Sequence, residues 1–156
     1  MVIFEAGRTA ELQQVQDLFT AYAASLPFSL AFQGFAAELA GLPAPYDPPR
    51  GCLLLATENG TTMGVAGLKP LAPEIAEVKR LYVVPQARGR GLGRRLAERA
   101  IAEARRRGYS RVRLDTHRPS MASAIALYRA LGFVEIPPYG PDLGGEIVFF
   151  EKSLRQ

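Results

Sequence analysis

Residues 81–104, LYVVPQARGRGLGRRLAERAIAEA, carry the reading that decides the fold. Up to Pro85 the segment is apolar and rich in β-branched residues, as a strand is, and the proline ends it. From Leu92 the period changes. Leu92, Leu96, Ala100 and Ala104, with Ile101 beside them, recur at helical spacing until Gly108 stops the pattern. Between strand and helix stand Gly89, Gly91 and Gly93. Glycine lets the chain turn sharply and lets backbone N–H groups come close to a ligand. The first turn of a helix leaves N–H donors unpaired, and the helix dipole adds partial positive charge there. The turn is therefore fit to receive an anion, a phosphate or pyrophosphate before others, and Arg88 and Arg90 add full charges beside it. It is not a P-loop, since no Lys-Ser or Lys-Thr follows the glycines. The dinucleotide fingerprint fails too, because Arg94 stands where its third glycine belongs. A purely structural tight turn is the competing reading.

Working outward, residues 75–84 read as the strand that enters this turn. Before it, CLLLATE (52–58) and TTMGVAGLK (61–69) flank Asn59-Gly60, the strongest short-range hairpin signal, and residues 70–73 separate the hairpin from the next strand. A short first strand at residues 2–4 precedes a helix with Thr9 as N-cap and Leu12, Val15, Leu18, Phe19 and Tyr22 on one stripe, running to Ser25. Pro27 interrupts it, and Phe32, Phe35, Ala36 and Leu39 mark a second helix that closes at Gly41. The proline-rich residues 41–51 form a loop. After the long helix, residues 109–116 alternate as a strand. Ser120 then caps a helix that carries Ala124, Ile125, Tyr128 and Leu131 and stops at Gly132, and residues 133–136 and 147–154 give two more strands. The order β-α-α-β-β-β-α-β-α-β-β describes a single α/β (α+β) domain over residues 1–156. Its sheet is mixed and mostly antiparallel, with helices on both faces.

Composition narrows the function. Of 156 residues 48% are hydrophobic and 22% charged, an ordinary globular balance, and no apolar run approaches the ~18 residues of a membrane span. The start, MVIFEAGRT, lacks the pattern of a signal peptide. One cysteine and one histidine allow no internal disulfide and no zinc site of the usual kind, so no metal is expected and the expected compartment is the cytoplasm. Thirteen of the nineteen Lys and Arg residues lie between Lys79 and Arg118, which marks either an anion site or solvated helix faces. The net charge of +4 raises a nucleic-acid-binding module as a rival, but aromatic interleaving and zinc, helix-turn-helix or RNP signatures are missing.

The motif R-x-x-G-x-G at Arg88, Gly91 and Gly93, preceded by LYVVP, resembles the pyrophosphate loop of the GNAT superfamily of N-acetyltransferases. Some thirty residues on, AIALYRALGF (124–133) is similar to that family's second signature, a helix carrying a tyrosine before a Gly-Phe turn. Two motifs in register over residues 75–133 make the resemblance specific. It implies acetyl-CoA as cosubstrate and an amine acceptor, either a small molecule or a protein or peptide. A homodimer is compatible with it, and a non-catalytic acyl-CoA sensor is the alternative. It also implies a strand that splays from its neighbour, with Leu81, Tyr82 and Val83 on the thioester and pantetheine and the Val83 N–H polarising the acetyl carbonyl. The pyrophosphate falls to Arg88, Gly89, Arg90, Gly91, Leu92, Gly93 and Arg94, and Tyr128 becomes the acid for the departing thiolate.

For the base, strand alternation places Glu77 on one face with Lys79, Leu81 and Val83, which makes it the first candidate and Glu74 a weaker one. His117 reads as a solvated loop residue and Cys52 as core. Met121 stands where many family members carry an asparagine, so that hydrogen bond to the pantetheine arm is missing. Tyr22, Phe28, Phe32, Gln33, Tyr46, Tyr139 and Asp142 fall where such folds build the acceptor pocket.

Overall fold

Asn59 and Gly60 both adopt positive φ, 52° and 78°, the geometry that joins two strands by a tight turn. The strands so joined are β2 (Cys52–Glu58) and β3 (Thr61–Ala72), paired antiparallel. The structure, a computed structural model, describes residues 1–155, with the side chain of Phe32 outside that description. Around the hairpin stand β1 (Val2–Ala6), α1 (Thr9–Ser25), a 3₁₀ turn (Leu30–Gln33) and α2 (Phe35–Gly41). After it come β4 (Ile75–Val83), α3 (Leu92–Arg106), β5 (Arg111–His117), α4 (Ala122–Ala130), β6 (Val134–Ile136) and β7 (Ile147–Ser153). One seven-stranded sheet has the order β1-β2-β3-β4-β5-β7-β6, antiparallel throughout except for β4 beside β5. The expected order of elements and the mixed sheet are both found.

Two glycines of β3 show which helices cover which face. A Cβ on Gly64 would meet Leu96 Cδ1 at 2.8 Å, so that face packs on α3. A Cβ on Gly67 would meet the Tyr46 ring at 2.6 Å, and Tyr46 stacks edge-on against Phe19 of α1. Odd spacing along a strand means opposite faces, so α1 and α3 sandwich the sheet. Leu92, Leu96, Ala100, Ile101 and Ala104 of α3 are buried, as their period requires. Each buried leucine contributes roughly 1.5–3 kcal/mol.

Several boundaries differ from the sequence reading. Arg8, not Thr9, is the N-cap of α1, where Glu11 Oε1 accepts from the N–H groups of Gly7 and Arg8 at 3.0 Å each. Strand β3 continues through Pro70 to Ala72. Its pairing with β2 ends at Leu68, and a strand tolerates proline where it has a neighbour on one side only. Met121, not Ser120, caps α4.

Candidate active site

Strands β4 and β5 pair only at Ile75–Arg111, Ala76–Val112 and Glu77–Arg113, and beyond these rungs they separate. Lys79 Nζ still reaches Asp115 Oδ2 across the opening, at 3.4 Å. Further along β4 the register against β3 slips. Lys79 lies opposite Gly67 and Tyr82 opposite Val65, so β4 holds one residue more than its partner. The bulge centres on Arg80, whose φ of 60° is rare for a residue with a side chain. Long-range contacts hold it there. Arg80 donates to both oxygens of Glu38 on α2, at 2.9 and 3.1 Å, and to Gln33 Oε1 at 2.7 Å. The Tyr46 hydroxyl donates to the same carboxylate at 2.7 Å.

The bulge corrects the facing of the proposed base. Glu77, Lys79 and Tyr82 lie opposite Lys69, Gly67 and Val65, the face that meets Tyr46 and α1. Val83 lies opposite Gly64, on the α3 face. Simple alternation had put Glu77 with Leu81 and Val83, and it fails because one extra residue inverts the parity. The Val84 N–H donates to Met63 O at 3.0 Å, so alternation turns the Val83 N–H to the other edge of β4, into the opening.

At the end of β4 the chain makes a 3₁₀ turn (Pro85–Ala87), then passes Gly89 and Gly91, with φ of 79° and 77°, into α3. The first helical bond runs from the Arg95 N–H to Gly91 O, leaving the N–H groups of Leu92, Gly93 and Arg94 without helical partners. Arg88 Nε donates to Val83 O at 3.1 Å and so latches the turn to the strand. A cleft of about 770 Å³ runs from this turn to the opening. Leu81, Tyr82, Val83, Arg88, Gly89, Gly91, Leu92 and Gly93 line one side, and residues 119–124, Leu127 and Tyr128 the other. A smaller cavity of about 60 Å³ sits in the opening itself, lined by Lys79, Asp115, Tyr22 and Tyr128 among others. Neither Arg90 nor Arg94 lines the cleft with its side chain. Arg90 is paired with Glu58, and Arg94 lies 3.7 Å from Glu98.

Tyr128 is buried on α4, edge-on to Phe133, and among the described residues its hydroxyl has no hydrogen-bond partner. Burial raises its pKa above the usual tyrosine value. Glu77, 4% exposed, lines neither cavity: Oε2 accepts the Tyr139 hydroxyl at 2.6 Å and Oε1 lies 3.3 Å from Lys69 Nζ. His117 is not a solvated loop residue. It ends β5, is 5% exposed, and has Ser120 Oγ 2.7 Å from Nδ1 and Glu146 Oε1 3.1 Å from Nε2. Cys52 is core, as expected, and Tyr46 is core rather than pocket lining. Asp115 is not singled out by the sequence, and Ser120 is read there only as a helix cap. The odd positions of β5 that hold Asp115 look like any strand's polar face, and nothing local shows that the neighbouring strand has left.

The arginine cluster is largely neutralised by carboxylates: Glu38, Glu58, Glu98, Glu103, Glu135 and Glu151 each face one or more of its members. Among the described residues no group of three His, Cys, Asp or Glu side chains could hold a metal ion, and no helix is long and apolar enough to cross a membrane.

The sheet thus opens beside the glycine-lined N-terminus of α3, with the buried Tyr128 across the gap. The model of the Acetyltransferase (GNAT) family matches residues 15–133, and the chain belongs to that family. It is 36% identical over 131 residues to an uncharacterised N-acetyltransferase of Schizosaccharomyces pombe, covering 83% of this chain and 80% of that one. To the [ribosomal protein bS18]-alanine N-acetyltransferase of Escherichia coli it is 38% identical over 79 residues, 51% of this chain and 52% of the other. The crystal structure of the ribosomal-protein-S18-alanine N-acetyltransferase from Escherichia coli superposes with a TM-score of 0.72 at 26% identity, over 99% of this chain and 94% of that one.

Proposed function

We propose that the chain transfers an acetyl group from acetyl-CoA directly to a primary amine. The observation that carries this is the continuity of the cleft. It joins unpaired helix N–H groups, fit for a pyrophosphate, to an opening in the sheet that the Val83 N–H faces. In this reading the pyrophosphate rests on backbone N–H groups from Arg88 to Arg94, with the Arg88 side chain beside it, while the side chains of Arg90 and Arg94 stay with their glutamates. The pantetheine arm follows Leu81 and Tyr82, and the Val83 N–H takes the charge that gathers on the carbonyl oxygen.

Tyr128 stands on the α3 side of the opening, where the thiol departs, and its hydroxyl gives the thiolate a proton. Glu77 stands on the α1 side, from which the amine would enter, and takes the amine's proton through the Tyr139 hydroxyl that bonds it. A second reading of the base rests on one observation: Asp115 lines the opening itself, whereas Glu77 does not. The acceptor is a small amine or an amine on a protein. The bS18 relatives, whose names give a ribosomal-protein alanine as their acceptor, support the protein class.

The test is thiol release from acetyl-CoA with a panel of amines and peptides. Tyr128→Phe should lower kcat by about 10²-fold or more. If it matches wild type on a true acceptor, the acid is another group. Of Glu77→Gln and Asp115→Asn, the variant that abolishes the acid limb of the kcat/KM profile identifies the base.

A further inference from the structure

We propose that Ser120, His117 and Glu146 form a nucleophilic triad that takes the acyl group onto Ser120 Oγ, giving the same cleft a second activity, hydrolysis of the acyl thioester. The inference rests on the cleft being the acyl-CoA site.

His117 ends β5, where that strand has left β4, and its buried ring packs on Phe28 at 4.7 Å between centroids. Its two nitrogens have different partners. Glu146 Oε1 lies 3.1 Å from Nε2 and Ser120 Oγ 2.7 Å from Nδ1. An ionised carboxylate only accepts, so Nε2 carries the ring proton. In the neutral ring Nδ1 is then a lone pair, and the Ser120 hydroxyl donates to it. That is the order of a nucleophile, a base and the group that orients the base. A bond made only to brace the turn between His117 and Ser120 would not need the carboxylate of Glu146, 29 residues away, on the far ring nitrogen.

Ser120 is exposed and lines the large cleft together with Val83 and Tyr128. An oxyanion site lies beside it. Helix α4 begins two residues on, its cap Met121 offers no side-chain acceptor, and the first helical bond is Ile125 N–H to Met121 O. The N–H groups of Ala122, Ser123 and Ala124 are therefore unpaired within the helix, on residues that line the cleft. In the proposed step Ser120 Oγ attacks the thioester carbon while its proton passes to His117 Nδ1, and Glu146 stabilises the ring cation through Nε2–H. The C–S bond breaks and the thiolate leaves with the proton from His117. Water then attacks the Ser120 ester, losing a proton to His117, which returns it to Ser120 Oγ as the carboxylic acid departs. The sum is acyl-CoA plus water giving carboxylic acid plus thiol.

The experiment uses acetyl-CoA with no amine present and reads thiol release in wild type, Ser120→Ala and Glu146→Gln. A fluorophosphonate serine probe gives a readout independent of turnover. Thiol release should fall about 10²-fold in Ser120→Ala and at least about tenfold in Glu146→Gln, a surface change that spares the fold. The probe should map to Ser120, be blocked by saturating CoA, and label Glu146→Gln more slowly. Equal thiol release from wild type and Ser120→Ala, or probe labelling that misses Ser120, overturns the triad. Calorimetry with CoA separates the two readings. If CoA does not bind, both fall; if CoA binds and amines are acetylated while Ser120→Ala hydrolyses like wild type, the triad alone falls.

Discussion

Gly91 and Gly93 look alike in the sequence and do different work. Gly91 has φ of 77° and caps α3, so a side chain there is strained in the left-handed region by about 1–2 kcal/mol, although space for a Cβ is open. Gly93 sits inside the helix, where a Cβ would lie 3.9 Å from Val83 and 4.0 Å from Leu127, ordinary contacts. Gly91→Ala should therefore lower Tm even without ligand. Gly93→Ala should keep or raise Tm, since alanine favours the helix, and show its cost only as weaker acetyl-CoA binding at the cleft it lines. Differential scanning fluorimetry and calorimetry on the two variants separate these roles, and equal Tm losses would contradict the backbone argument. Tyr128 carries a second prediction at this scale. Burial raises its pKa, so it stays protonated well above neutral pH, and kcat should show no alkaline limb from this group up to about pH 10. A limb near pH 8 that vanishes in Tyr128→Phe would show that a positive neighbour stabilises the phenolate in the working enzyme, against the burial argument.

Among the elements, α2 is tied to the β4 bulge by one buried ion pair. The side chains of Arg80 and Glu38 are 3% and 11% exposed. Glu38→Ala leaves a buried guanidinium with Gln33 alone and removes the acceptor of the Tyr46 hydroxyl. Losing one partner of such a pair costs about 3–5 kcal/mol, which urea denaturation should record, whereas Glu98→Ala, from an exposed pair on α3, should be nearly silent. The bulge also explains how far the sequence could be read. The Asn59-Gly60 hairpin, the stripe of α3 and the glycine turn are local patterns, and local geometry follows them. An arginine at positive φ carries no such signal: Arg80 is held by Glu38, 42 residues away, and the facing of Glu77 inverts with it. The place of β7 between β5 and β6 is likewise set by long-range pairing rather than by anything within residues 147–153. The helix after β5 was legible but its cap was not, because Met121 offers no capping side chain and Ser120 is engaged by His117 instead.

For the molecule as a whole, three tyrosines from separate segments stand at or near the opening in the sheet: Tyr22 of α1 and Tyr128 of α4 line it, and Tyr139 of the loop before β7 bonds Glu77 at the last rung before the strands part. Burial is the first cause raising the pKa of each, and Tyr22 is pushed up to about 12. The consequence for stability has a definite sign. In the unfolded chain these hydroxyls ionise near pH ~10, while in the folded chain they hold their protons to higher pH. Above about pH 10 the unfolded state therefore binds fewer protons than the folded one, and stability falls as pH rises; below that value their contribution is fully present. Tm should stay level with respect to these groups between about pH 7 and 9.5, then drop steeply. Tyr22→Phe removes one such proton without removing a side-chain hydrogen bond, so its Tm should fall less steeply above pH 10 than that of wild type. An unchanged slope would mean that the Tyr22 hydroxyl is hydrated in the folded protein and that the acceptor side of the opening is wetter than its packing against Tyr82 implies. The same curve sets the window for the kinetics. Between about pH 7 and 9.5 these tyrosines keep their protons, so a change of rate there does not come from their share in unfolding.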